Sequence, residues 1–268
     1  MRTTARDRPG SARGAELARS VTIGGVAGAV AGVLVGGLGG RLVMRLSAIA
    51  ADPSVIGAVT ENGNRVGEIT AGGTIGLIAF GGLFLGISGG ILFVVARPWL
   101  RWAGRLRGPV FGAFALATAG HAVIDDDNFD FFLLRPAWLN VLMFSLVFLL
   151  YGVTVQALTD RIEGRPARIP RPLRFVLYGG AIALGFLVLI PTGGFYFSRR
   201  FCFCTDPALL VGVFLAAASV ATAWSWISFL RTGQLEPPRG AKVAGWLGLG
   251  GAFLAGVVRL ATEVQGIA

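Results

Sequence analysis

The sequence predicts an all-α membrane protein, a polytopic bundle of seven transmembrane helices with the N-terminus cytoplasmic and the C-terminus outside. Three observations carry that expectation. Apolar residues make up 54% of the chain and charged ones only 14%, against roughly 25% charged in soluble domains; the mean hydropathy is +0.71. Seven apolar runs fall at about 21–47, 71–96, 108–124, 138–159, 174–196, 207–230 and 243–266, and a bilayer-crossing helix needs about 20 such residues. Basic residues crowd into alternate connections. A closed β-barrel is the other spanning fold, but these runs are too long and too evenly apolar for strands of period two.

The formal charge of +10 is almost all arginine, with Lys242 the only lysine. Arg2, Arg6, Arg8, Arg13 and Arg19 precede the first run, and Arg97, Arg101, Arg105 and Arg107 follow the second. Arg161, Arg165, Arg168, Arg171 and Arg174 follow the fourth; Arg231, Arg239 and Lys242 follow the sixth. The remaining connections carry Asp52, Glu61, Glu68, Asp125, Asp126, Asp127, Asp130 and Asp206. This alternation is the positive-inside pattern, and it accounts for the charge without a nucleic-acid partner. The Gly/Ala/Arg-rich composition is similar in style to multi-pass proteins of high-GC bacteria, so the expected location is a bacterial plasma (inner) membrane. The partners expected are the lipid bilayer and a membrane protein or a second copy of the chain.

Residues 1–20 read as a disordered basic cytoplasmic tail, and 21–268 as one transmembrane domain. Ala48-Ile49-Ala50 has the small-x-small form of a signal cleavage site, but the preceding apolar stretch is longer than a signal core and is interrupted by Arg41 and Arg45.

The first run carries Gly24, Gly28, Gly32, Gly36 and Gly40, a step of four that lines one helix face. Gly82, Gly86 and Gly90 repeat the device in the second run, and Gly248, Ala252 and Gly256 in the last. Such faces let helix backbones approach closely; the alternatives are a glycine zipper between copies and tight packing inside one bundle. The connection 51–70 contains a hairpin around Asn62-Gly63. The short third run ends in the acidic turn Asp125–Asp130, and Trp138 anchors the next run at the interface. Pro166, Pro170 and Pro172 stiffen the fourth connection; Pro191 breaks the fifth run.

Charges inside spans are the natural functional candidates, because each costs several kcal/mol at mid-bilayer unless paired or wetted. Arg41 and Arg45 stand one turn apart near the outer end of the first run. Arg259 and Glu263 do so in the last run, and His121 with Asp125 at the end of the third. A cluster of Arg41, Arg45, His121, Asp125, Arg259 and Glu263 would bind an ion, gate an outer vestibule or relay protons; a histidine beside a carboxylate suits such work. The competing reading is a salt-bridged rim whose arginines reach headgroups. Cys202 and Cys204 are weak metal candidates, since one intervening residue strains a disulfide and no methionine or histidine stands nearby. Hydroxyls at Ser219, Thr222, Ser225 and Ser228 either line a polar path or bond back to their own helix.

No catalytic residue and no cofactor is expected. Phosphate-loop, zinc-protease and nucleophile-elbow motifs are absent, one histidine cannot supply paired haem ligands, and no lysine lies within an expected span to hold retinal. Three function classes remain: a permease or channel for a small solute or ion with a charged outer vestibule, a membrane scaffold or accessory subunit docking through glycine faces, and an outer-leaflet enzyme acting on lipid or cell-wall precursors.

Overall fold

A computed structural model describes residues 10–60, 63–164, 179–180, 206–234 and 236–267. Cys202, Cys204, the fourth-connection prolines and all but two residues of the run 174–196 lie outside the described residues. Five helices among the described residues are long and apolar enough to cross a membrane: Arg13–Ala50, Ala71–Ala122, Ala137–Glu163, Leu209–Thr232 and Arg239–Ile267. No β-strand occurs among the described residues; the one pairing is an isolated antiparallel bridge between Val59 and Arg65. Leu42, Val220, Leu247 and Leu254 are 60–69% exposed on the outside of the bundle. An apolar belt of this kind is a liability in water and the expected surface against acyl chains.

The first helix runs as α1 (Gly10–Ala31), a π-wound stretch Gly32–Gly39, and α2 (Gly40–Ala50). It therefore begins inside the segment 1–20 read as a tail. Arg13 and Arg19 hold that extension: Arg13 donates to the Leu230 and Arg231 carbonyls at 3.1 and 3.0 Å, and Arg19 to the Glu163 carbonyl at 3.4 Å. Those carbonyls end two other helices, where orphan acceptors and the helix dipole attract cations. The second helix runs as α3 (Ala71–Leu77), a π stretch Ile78–Phe84, and α4 (Leu85–Leu100). Thr70 caps its start, accepting the Gly73 N–H at 3.2 Å.

These two helices interlock antiparallel through their glycines. A Cβ on Gly24 would stand 2.6 Å from the Gly90 carbonyl oxygen, one on Gly86 2.6 Å from that of Gly28, and one on Gly32 2.7 Å from the Gly86 Cα. The obstacles are backbone, so a side chain at these positions has nowhere to go. Gly36 lies against the Gly81 carbonyl in the same way, whereas Gly40 meets only the tip of Leu77. The π windings fit this geometry. A step of four exceeds the 3.6-residue turn, so the row slides about 40° round an α-helix per step. Turns closed by i→i+5 bonds hold more than four residues and slide the row back. Glycines 24 to 36 thus stay on the partner.

After Leu100 a 3₁₀ stretch, Arg101–Leu106, bends the chain at Gly104, whose φ of +52° and ψ of −114° suit glycine alone. α5 (Arg107–Ala119) returns from the bend, and the 3₁₀ turn Gly120–Ala122 and short α6 (Phe129–Leu133) follow. α7 (Ala137–Glu163), α8 (Asp206–Thr232) and α9 (Arg239–Ile267) complete the described helices. α5 packs on α7 through small residues: a Cβ on Gly108 or Gly112 would stand 2.6 Å from the carbonyl oxygens of Gly152 or Phe148. Gln156 accepts the Gly108 N–H at 2.5 Å, satisfying a donor at the start of α5. Ala27, Ala31, Phe93, Ala96, Phe111 and Val155 form the core between these helices.

Charged residues gather at both helix ends. At one end Arg97 bridges Asp160 at 2.7 Å and Glu163 at 2.5 Å, and Arg107 and Arg101 approach Asp160 and Glu236 at 3.8 and 3.7 Å. The opposite end carries the connection 51–70 and the acidic turn. In the former, the Val59–Arg65 bridge closes a hairpin whose turn includes Gly63 at φ +73°.

Candidate functional site

The site is built where α5 unwinds beside the end of α9. Gly256 lets the two helices touch, since a Cβ there would overlap the Ala117 carbonyl. One turn on, Leu260 lies over Gly120. One turn further, Glu263 reaches the acidic turn, where its carboxylate accepts the Asp126 N–H at 3.1 Å. Beneath them Ile124, Phe131 and Ile267 form a small apolar cluster that holds the turn down. Small residues on α9 thus set a register in which three successive turns meet the chain emerging from α5.

Glu263 is almost wholly buried, 3% exposed, and its other oxygen accepts Arg259 Nη2 at 2.5 Å; Arg259 is 12% exposed. The Asp126 side chain lies against Gly266, one turn beyond Glu263. His121 is buried in the 3₁₀ turn and bonds the Thr118 backbone. Arg259 acts electrostatically on both His121 and Asp125. His121, Asp125, Arg259 and Glu263 therefore lie near one another.

Asp125 accepts the Asp127 N–H at 3.1 Å, closing the turn. Burial pushes its carboxyl above the ordinary carboxylate range; the charges of Asp127 and Asp126 push the same way, while the Asp127 N–H and Arg259 pull back. One oxygen from each of Asp125, Asp126 and Asp127 lies within 4.8 Å of the others, with Asp127 exposed. Local turn bonds account for these positions: Asn128 caps α6 through the Asp130 N–H at 2.9 Å, and Asn140 donates to the Leu134 carbonyl.

Arg41 and Arg45 have other partners. Arg41 donates to Thr74 Oγ1 at 3.1 Å and the Thr70 carbonyl at 3.3 Å, and Arg45 to the Gly67 carbonyl at 2.8 Å. They fasten the connection 51–70 onto the first two helices. Two hydroxyls of the sixth run bond their own helix: Ser219 donates to the Leu215 carbonyl and Thr222 to the Ala218 carbonyl, at 2.8 and 2.9 Å.

Three features escape the sequence reading. Asp126 belongs to the cluster through its backbone N–H. Arg97 with Asp160 and Glu163 ties α4 to α7; the available signal is that these two acids interrupt a connection otherwise rich in arginine. Tyr151 donates to the Gly86 carbonyl at 2.7 Å and lies over Gly89, joining α7 to the glycine interlock. No protein-family model matches the chain, and no curated protein or solved structure matches it.

Proposed function

We propose that the protein is a seven-span permease or channel of a bacterial plasma membrane, N-terminus in and C-terminus out, with the cluster around Glu263 as its ion-binding or gating site. The Gly104 bend supports the span count by dividing the run Ala71–Ala122 into two arms; the seventh span of the proposal is the apolar run 174–196, read from the sequence alone. The gathering of Arg13, Arg19, Arg97, Arg101 and Arg107 at one end of the bundle supports the orientation.

The observation that carries the transport reading is the Arg259–Glu263 pair. Its charges are nearly enclosed within a helix of a membrane bundle, next to His121 and two further carboxyls. Such groups are costly in lipid and concentrate on ion pathways and proton relays, and a well-packed apolar pair is often at least as stabilising as a buried ion pair. Carboxyls outnumber cations in the cluster, which favours a cation. A histidine beside carboxyls suits proton relay, so the proton is the first ion to test. The scaffold reading requires exposed glycine faces; the rows Gly24 to Gly36 and Gly82 to Gly90 occupy one another, which leaves Gly72 and Gly76 as the open glycines of the second helix.

Proton uptake into proteoliposomes, driven by a potassium diffusion potential and read with an internal pH dye, tests the proposal; sodium and chloride fluxes are run alongside. The expected result is a flux above empty liposomes for at least one ion, reduced at least tenfold by Glu263→Gln. Absence of any flux, or an unchanged flux in a folded Glu263→Gln variant, overturns it.

A further inference from the structure

At the basic end, the bend after α4 and the start of α9 enclose a cleft of about 260 Å³. Its walls include Trp99, Arg101, Trp102, Glu236, Lys242 and Trp246. Trp99 is buried and fixed: Nε1 donates to the Lys242 carbonyl at 3.1 Å, and the ring occupies the space that Gly245 leaves open. Trp102 and Trp246 face one another with ring centroids 6.2 Å apart, and they are 65% and 43% exposed. Three of the six tryptophans in the chain therefore stand round one cleft. Tryptophan is the side chain that settles at headgroup depth, its ring among acyl carbons and its N–H toward water.

From this placement we propose that the cleft binds an anionic phospholipid, its phosphate between Arg101 and Lys242 and its upper acyl chain along Trp102 and Trp246. Charge complementarity selects the occupant. Two cations line a cleft whose one acid, Glu236, approaches Arg101 at only 3.7 Å, with both side chains more than half exposed. A surface pair of that length contributes little, and a phosphate displaces it readily. Basic pockets between helices at the membrane surface recognise anionic headgroups. Lipid bound there would clamp the Gly104 bend to the connection between α8 and α9. The inference rests on membrane embedding and not on the transport reading.

The test is native mass spectrometry of the full-length chain in detergent, with equal amounts of phosphatidylglycerol and phosphatidylcholine. Retention of about one phosphatidylglycerol per chain is expected, in preference to phosphatidylcholine. Arg101→Ala with Lys242→Gln should lower that retention about tenfold, as befits the loss of two cations near a bilayer surface. Glu236→Gln should raise it, a gain that misfolding cannot produce. Excess inorganic phosphate should not displace the lipid; displacement would identify a free-phosphate site instead and overturn the proposal. Equal retention of both lipids, or no change in the Glu236→Gln variant, also overturns it.

Discussion

Glu263 is the residue on which the cluster turns, because it accepts from Arg259 and from the Asp126 backbone at once. Glu263→Ala strands a guanidinium that is 12% exposed; removing one partner of a buried pair costs about 3–5 kcal/mol. Thermal unfolding in detergent should register that loss, and Arg259→Leu with Glu263→Leu should recover most of it. Asp125 supplies a pH test. Its carboxyl titrates above the ordinary range because it is partly buried beside two other acids. The folded state holds that proton more tightly than the unfolded chain. The associated stability is full below the ordinary carboxylate pKa and is lost as pH rises through the raised one. Asp125→Asn keeps the acceptor for the Asp127 N–H, so it should raise the melting temperature at pH 7 and leave it nearly unchanged at pH 3; the reverse dependence would refute the assignment. The i and i+4 spacings of Arg259 with Glu263 and of His121 with Asp125 can be read in the sequence, whereas the close approach of Gly256 to Ala117 that sets the two helices side by side cannot. The partners of Arg41 and Arg45 cannot be read there either. They are backbone carbonyls and a threonine hydroxyl at the entry to α3, which no hydropathy pattern marks.

At the scale of elements, the glycine rows distinguish positions that look alike in the sequence. Gly32→Ala places a methyl group against the backbone of Gly82 and Gly86, whereas nothing lies within 4 Å of the Cβ position of Gly76. Denaturation with sodium dodecyl sulfate should show Gly32→Ala destabilised by about 1–3 kcal/mol. Gly76→Ala should be neutral or stabilised by up to about 1 kcal/mol. Equal effects would contradict the interlock. The row itself is legible as a step of four. The π winding that keeps it in register is not, because propensity carries no term for the partner's backbone. The bend at Gly104 is likewise hidden: Trp102-Ala103-Gly104-Arg105 reads as an ordinary basic connection. Gly104→Ala forces a Cβ into a conformation costing about 1–3 kcal/mol, and its melting temperature should fall accordingly.

For the whole molecule, composition and the long apolar runs point to a helical membrane protein, and the structure agrees in the five long apolar helices among its described residues and in its apolar belt. The extension of α1 to Gly10 is less legible, because it depends on carbonyls at the ends of α7 and α8 that only the assembled bundle presents. Central to all of this is the proposal that the chain is threaded through a bilayer with the end bearing Arg97 and Arg101 inside and the acidic turn outside. Cysteine accessibility tests that threading most directly. Single cysteines are introduced at Gly63 and Glu236 after Cys202 and Cys204 are replaced by serine, and intact cells are treated with a membrane-impermeant maleimide. The account predicts labelling of Gly63→Cys in intact cells and of Glu236→Cys only after permeabilisation. Labelling of both from one side would contradict it.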